Sequence, residues 1–225
     1  MFSETNVVVP QFNDELKDLI LNEACRGFDW SEISPTIFGA VFESTLNPET
    51  RRSGGMHYTS IENIHKVIDP LFLNDLKAEL KKIQDMVQVN QRKEEAKLYQ
   101  RKLANLKFFD PACGSGNFLT ETYLSIRQLE NEAIKIMQGN NSGLAIGDYT
   151  VKVSITNFYG IEINDFAVSV AKTAMWIAES QMMTRSKNEG IYFDRDFFPL
   201  TTNTGIHEGN ALRMNWEDIV KPYEL

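Results

Sequence analysis

Residues 106 to 119 read Leu-Lys-Phe-Phe-Asp-Pro-Ala-Cys-Gly-Ser-Gly-Asn-Phe-Leu, which predicts a short apolar strand, a glycine turn and the start of a helix. Gly114 and Gly116 allow the backbone to turn sharply and to approach a ligand where a Cβ atom would clash. Asn117 follows as a residue that can cap the helix. Asp110 stands at the strand end, directly before the turn. These features together predict a site for a nucleotide-like cofactor in an α/β fold.

Two common nucleotide-binding loops do not fit this turn. A dinucleotide-binding fingerprint requires a third glycine, but Leu119 occupies that position when the spacing is counted from Gly114. A phosphate-binding loop requires Gly-Lys followed by Ser or Thr, and this tripeptide occurs nowhere in the chain. The turn therefore favours a ligand that is not held by its phosphates.

The phrase Phe-Asp-Pro-Ala-Cys-Gly-Ser-Gly-Asn-Phe-Leu closely resembles the cofactor-binding motif of amino-group DNA methyltransferases. Across residues 30–225 the chain is most similar to single-chain restriction-modification methyltransferases of the MmeI-like type. The resemblance implies an α/β fold with an incomplete Rossmann-like sheet, and S-adenosylmethionine (S-adenosyl-L-methionine) as the cofactor. The alternative is an ordinary strand-to-helix turn. The cofactor-binding residues that the resemblance implies in this phrase are Asp110, Pro111, Ala112, Cys113, Gly114, Gly116, Asn117 and Phe118.

A second segment precedes a predicted helix. Residues 52–60, Arg-Ser-Gly-Gly-Met-His-Tyr-Thr-Ser, resemble the segment that closes over the methionine end of the cofactor in this family, with His57, Tyr58 and Thr59 as contacts. Thr59 and Glu62 match the capping-box pattern Thr-x-x-Glu, which predicts a helix N-terminus that faces a carboxylate. The alternative is a well-capped helix without a ligand.

A third segment, residues 158–163, reads Phe-Tyr-Gly-Ile-Glu-Ile and predicts a strand that ends in an acid. The carboxylate of Glu162 offers lone pairs to two donors, so it can accept both hydroxyls of a ribose. Ile163, the next residue, is expected to pack on the adenine face.

The fourth segment, residues 205–212, contains Asn210-Ala211 where the family usually has Asp-Ala. The resemblance implies that these two residues contact the adenine, because an amide oxygen can still accept a hydrogen bond from its amino group. His207 is expected to be a strand or turn residue, because no second ligand or triad partner stands at the required spacing.

Hydrophobic spacing organises the rest of the chain. It predicts helices over residues 13–25, over about 34–46 and, with room for a break, over about 74–103. Beyond these, strands alternate with helices, which predicts a parallel sheet with helices on both faces. We therefore expect a helical connector over residues 1–105, including the closing segment, and the N-terminal half of a methyltransferase domain over residues 106–225.

Charge and composition restrict the classes of protein that fit. The net charge is −8, and the only basic stretch, residues 51–107 with a net charge of +5, interleaves acids with its lysines and arginines, which favours a solvated helix face over a DNA-binding face. Neither an apolar run of about eighteen residues nor a secretory signal pattern is present. Cys25 and Cys113 are isolated, without metal-ligand spacing. We expect a cytoplasmic protein with no membrane span and no metal.

The resemblance also implies an activity. Amino-group DNA methyltransferases of this motif order need Asp or Asn followed by Pro-Pro and an aromatic residue, which hold the target amine and clamp a flipped base. No such tetrapeptide occurs in the chain, so no catalytic residue is expected in it. We expect the cofactor-binding part of an adenine-N6 DNA methyltransferase of a restriction-modification system, a fragment that is inactive alone. Its expected partners in the intact protein are double-stranded DNA and, in cis, the remaining methyltransferase and target-recognition domains. N4-cytosine methylation, a non-catalytic cofactor-binding module and RNA or protein methylation stay open as alternatives.

Overall fold

The computed structural model describes residues 11–27, 33–37, 39–40, 59–139, 150–191 and 204–220. The chain divides into two units, Met1–Ser34 and Pro35–Leu225. In the first unit, helix α1 (Asp14–Asp18) continues as a π-helical stretch over Leu19–Arg26. Asn13 caps α1, because its Oδ1 accepts a hydrogen bond from the Leu16 amide at 2.8 Å.

Helices lead up to the sheet in the second unit. Helix α2 (Ile61–Ile68) runs into a π-helical turn over Asp69–Leu73, and α3 (Asn74–Gln84) and α4 (Val89–Asn105) follow. The predicted break in the pattern over 74–103 therefore lies between α3 and α4. The apolar residues that recur along α3 are buried, so this helix faces the core; they are Leu76, Leu80 and Ile83.

Three parallel strands form the sheet in the order β1 (Phe108–Asp110), β2 (Phe158–Glu162) and β3 (Gly205–Glu208). The register pairs Asp110 with Gly160 and Glu162 with Glu208, so β1 ends two residues before the other two strands. Helix α5 (Asn117–Gln138) lies between β1 and β2 in the chain, and α6 (Asp165–Asn188) follows β2. These strand positions confirm the parallel sheet that the sequence predicted.

Aromatic contacts show which face of the sheet the helices cover. Phe108 and Phe158 stack with ring centroids 5.1 Å apart, and Tyr123 of α5 meets Phe158 edge-on at 5.3 Å. On the opposite face, Phe109 contacts Trp216, which lies in a 3₁₀ turn, at 5.2 Å. Helices were predicted on both faces of the sheet. Within the described ranges, α5 and α6 cover the face that bears Phe158, and the 3₁₀ turn with Trp216 lies on the other face.

A buried carboxylate connects α4, α5 and the chain that enters β2. Glu130 of α5 is fully buried and accepts hydrogen bonds from Arg127 Nη1, from Gln100 Nε2 at 2.9 Å, and from the amides of Lys152 at 2.6 Å and Val153 at 3.1 Å. A buried carboxylate requires such partners to compensate for its lost hydration. The sequence does not indicate this network, because charges on an amphipathic helix ordinarily lie on its solvated face.

Candidate functional site

The glycine turn lies between the carboxyl end of β1 and the start of α5. Gly114 and Gly116 have φ angles of 55° and 80°, in the left-handed region, which confirms the sharp turn predicted there. The Cys113 amide donates to the Ile161 carbonyl of β2 at 3.0 Å, so the turn is bonded to the neighbouring strand. A Cβ atom at Gly116 would lie 2.9 Å from the Ala171 Cβ of α6, whereas one at Gly114 would meet no atom of the described residues within 4 Å. Gly116 therefore allows α6 to pack closely, and Gly114 leaves the mouth of the turn open.

Two carboxylates lie beside this turn. Glu162 is 9% exposed, and its two oxygens accept hydrogen bonds from the amides of Gly114, at 3.0 Å, and Asn164, at 2.9 Å. The Asp110 Oδ1 accepts from the Ala112 amide at 3.0 Å. Burial raises the pKa of Asp110, the Ala112 hydrogen bond opposes this change, and the negative charge of Glu162 adds to it. Two neighbouring acids favour a ligand that brings hydrogen-bond donors and positive charge.

Cys113 lies under the turn. Its side chain is buried in the core, in space that Gly160 of β2 leaves, since a Cβ atom there would lie 2.7 Å from the Cys113 Sγ. Burial, and then the charges of Asp110 and Glu162, raise the pKa of the Cys113 thiol. The thiol is therefore protonated and inert near neutral pH. The Cys113 side chain therefore lies in the core, so a ligand contact of this residue would come from its backbone.

Asn117 does not cap α5, and that prediction was wrong. Gly116 occupies the cap position in the left-handed conformation, and no side chain caps the helix. A capping side chain must stand just before the helix, but Asn117 is already its first residue. Its side chain is buried, and its Oδ1 has no hydrogen-bond partner among the described residues.

A helical segment from upstream packs on the same turn. Residues 37, 39 and 40 are helical, and Gly39 is buried. A Cβ atom at Gly39 would lie 2.3 Å from the Ser115 Oγ and 2.9 Å from the Asn117 Oδ1. The sequence predicted a helix over 34–46 but not this contact, because hydrophobic spacing does not say where a helix docks.

The closing segment is described only at its end. Positions 51–58, which include His57 and Tyr58, lie outside the described residues. Thr59 is half-buried and does not cap α2; Ser60 does, because its Oγ accepts a hydrogen bond from the amide three residues later at 3.4 Å. The predicted Thr-x-x-Glu capping box was therefore wrong by one position.

His65 connects α2 to α5. Its Nδ1 lies 2.9 Å from the Asp69 Oδ1, and its Nε2 lies 3.1 Å from the Glu121 Oε1 in the second turn of α5. The hydrogen bond to Asp69, helped by that to Glu121 and opposed by partial burial, raises the pKa of His65. The helix that follows the closing segment is thus tied to the helix that follows the glycine turn. The sequence gives no signal for this pairing, since Glu121 is 56 residues away.

The other predicted contacts lie around the ends of β2 and β3. Ile163 is 65% exposed. The Gly209 amide donates to the Glu162 carbonyl at 2.8 Å, which brings the following residue, Asn210, close to the end of β2. The Asn210 Oδ1 accepts from the amide two residues later at 3.0 Å, and the Ala211 carbonyl accepts from an indole N–H at 2.8 Å. In the turn itself, Ala112 is exposed and Pro111 is half-buried, and Phe118, in the first turn of α5, is also half-buried.

Within the described ranges, no three side chains of His, Cys, Asp or Glu come together in a way that could bind a metal ion. The same ranges contain no helix with the length and apolar character to cross a membrane.

Comparison with known proteins gives three matches. Residues 85–224 match the family described as MmeI, DNA-methyltransferase domain. The chain is 40% identical over 221 residues to DNA methyltransferase A of Bacillus subtilis (strain 168), a match that covers 97% of this chain and 24% of that protein. It also aligns with a solved structure of the Type IIL restriction-modification enzyme MmeI in complex with DNA, with a TM-score of 0.79 and 37% identity over 94% of this chain and 27% of that one. The chain therefore spans about a quarter of the length of these relatives.

Proposed function

Because the chain belongs to the DNA-methyltransferase domain family of MmeI, we propose that it binds S-adenosylmethionine at the glycine turn between β1 and α5. The observation that carries this proposal is the position of Glu162. Its carboxylate stands at the end of β2, bonded to the Gly114 amide at 3.0 Å, beside a turn whose Gly114 leaves open space.

The residues at the turn fit this cofactor. A carboxylate has about four lone-pair sites. Glu162 uses two of them for hydrogen bonds from backbone amides, so the others can accept hydrogen bonds from the ribose hydroxyls. The exposed side chain of Ile163 offers an apolar surface to the adenine ring. Asn210 uses one lone pair of its Oδ1 for a backbone amide and keeps another for the adenine amino group. The charges of Asp110 and Glu162 stabilise a cationic ligand.

When bound, S-adenosylmethionine supplies an activated methyl group. We propose that, as part of a protein as long as these relatives, the chain serves the transfer of this methyl group to adenine N6 in double-stranded DNA, within a restriction-modification system. The target amine is then held by residues beyond the present chain, which contains no Asp or Asn followed by Pro-Pro and an aromatic residue. In the same proposal, His57, Tyr58 and Thr59 close over the methionine end, and residues 1–105 serve as the helical connector.

Calorimetric titration of the 225-residue protein with S-adenosylmethionine and with its demethylated product tests the binding site. Glu162→Ala should weaken binding by about 1.5–3 kcal/mol, because the hydrogen bonds to the ribose are lost, and this is roughly 10- to 150-fold in affinity. Glu208→Ala is the matched control, since Glu208 is paired with Glu162 in the adjacent strand and is exposed. Equal affinity in the Glu162 variant would overturn the ribose assignment, and a wild-type protein that does not bind would overturn the cofactor site.

Transfer of a tritiated methyl group tests the proposed substrate. A protein as long as the relatives should label adenine N6 in duplex DNA, whereas the 225 residues alone should label nothing because they lack the tetrapeptide. Label on cytosine, RNA or protein would overturn the adenine assignment. Transfer by the 225 residues would show that the tetrapeptide is dispensable.

A further inference from the structure

The helical segment that contains Gly39 has an unexpected glycine. Glycine is the poorest helix former after proline, because it loses the most backbone freedom when it is ordered. Gly39 is not among the glycines with positive φ, so any residue could adopt its backbone conformation. Neither helix stability nor backbone geometry explains a glycine at this position.

The contact with the glycine turn does explain it. A Cβ atom at position 39 would lie 2.3 Å from the Ser115 Oγ, and 2.9 Å and 3.1 Å from the Oδ1 and Nδ2 of Asn117. A Cβ atom does not lie 2.3 Å from an oxygen, so a side chain at position 39 would force at least the Ser115 side chain to move, and the Asn117 side chain is also closer than ordinary contact. The upstream segment packs on the turn with the Ser115 and Asn117 side chains in their present positions because residue 39 has no side chain.

The position of Asn117 depends on this packing. Its side chain is buried, and its Oδ1 has no hydrogen-bond partner among the described residues. A buried amide is ordinarily held in place by its hydrogen bonds. Without a bond at Oδ1, this end of the Asn117 side chain is located by the atoms that pack against it, and the backbone at Gly39 is among them.

We propose that Gly39 is a positioning residue of the cofactor turn: the upstream helical segment closes directly on Ser115 and Asn117, and this contact sets the shape in which the turn binds its ligand. The inference rests on the proposed binding of S-adenosylmethionine at this turn. It makes a residue far upstream of the cofactor motif part of the cofactor site.

Two single variants separate positioning from helix stability. Gly39→Ala raises helix propensity but adds a Cβ atom against the turn, whereas Ala40→Gly lowers helix propensity in the same segment and adds no atom. In calorimetry with S-adenosylmethionine, Gly39→Ala should weaken binding by at least about fivefold, which is about 1 kcal/mol, and Ala40→Gly should stay within about twofold of wild type. If Gly39→Ala binds as well as wild type, or if Ala40→Gly causes the larger loss, the inference is wrong.

A rescue experiment tests the specific contact. Ser115→Gly removes the hydroxyl that the new Cβ atom would meet at 2.3 Å. The loss of affinity caused by Gly39→Ala should therefore be smaller in the Ser115→Gly background than in wild type. An equal loss in both backgrounds would overturn the contact as the cause.

Hydrogen exchange provides a readout that needs no variant. S-adenosylmethionine should slow exchange of the amides around Gly39 together with those of residues 114–117, since the two are packed as one unit. Protection of 114–117 alone would overturn the inference and leave the proposed function standing. Absence of any binding by wild-type protein would instead overturn the proposed function, and the inference with it.

Discussion

Replacing Glu130 by glutamine tests how the fold tolerates a charge in its core. Glutamine has the size of glutamate but no charge, and it replaces one acceptor oxygen with an NH₂ group that donates. At Glu130 that group would face the donors that now surround the carboxylate, which are Arg127 Nη1, Gln100 Nε2 and the amides of Lys152 and Val153. The variant therefore removes the negative charge that Glu130 places beside the buried guanidinium of Arg127, and it leaves a backbone amide or side-chain amide without this acceptor.

The expected cost follows from these two losses. Removing one partner of a buried ion pair costs about 3–5 kcal/mol, and an unsatisfied buried donor costs about 1–3 kcal/mol. The two terms overlap, because the same NH₂ group causes both, so we expect a total of about 3–5 kcal/mol. A domain is stable by only about 5–15 kcal/mol, so the effect should be large.

Urea unfolding followed by far-ultraviolet circular dichroism measures this cost. Glu132→Gln is the matched control on the same helix, because Glu132 is 46% exposed and pairs with Lys135 at 2.8 Å, and exposed pairs contribute about 0–1 kcal/mol. If Glu130→Gln costs no more than Glu132→Gln, the reasoning from buried charge is refuted.

Three further predictions concern single residues. Gly116→Ala should destabilise the protein by more than Gly190→Ala in thermal unfolding. Both glycines have positive φ, where alanine costs about 1–2 kcal/mol, but of the two only Gly116 faces another helix, with the added Cβ atom 2.9 Å from Ala171. Equal losses would contradict the close packing of α6 on the turn. Because the pKa of His65 is raised in the folded protein, the stability that this residue contributes should be complete below the unfolded-state pKa of about 6.5 and should be lost as the pH rises through the folded-state value. A difference in unfolding free energy between wild type and His65→Gln that stays constant from about pH 5 to 8.5 would contradict the pairing. Iodoacetamide should alkylate the exposed Cys25 in the native protein and Cys113 only after unfolding, and equal rates would count against the burial and raised pKa of Cys113.

The strand ends and the glycine turn could be predicted from the sequence because their determinants are local. Asp110 and Glu162 each follow a short apolar run, and Gly114 and Gly116 adopt backbone angles that other residues avoid. The residue that caps a helix was harder to predict from the sequence. Ser60 follows Thr59 with an equally suitable side chain, so the sequence alone did not decide between them.

Contacts between distant parts of the chain could not be predicted. Glu130 is buried because an amide from α4 and two backbone amides before β2 surround it, and none of these lies near it in the sequence. In the sequence, Gly39 is only a residue of low helix propensity within a helical pattern, and its contact with Ser115 is seen only in the structure. In both cases the residue type at the position is explained by its contacts in the folded protein and not by its neighbours in the sequence.

Hydrogen bonds to two carboxylates flank β2 along the chain and oppose a shift in its alignment. Glu130 accepts from the amides of Lys152 and Val153, which precede the 3₁₀ turn Ile155–Asn157 that leads into the strand. At the end of the strand, Glu162 accepts from the amide of Gly114, which follows β1. β1 itself has only three residues with which to select its alignment to β2. A slip by one residue would send every side chain of β2 to the opposite face of the sheet, and it would also pull both carboxylates away from their amides. Side chains outside the ladder therefore protect the shortest described strand against mispairing during folding.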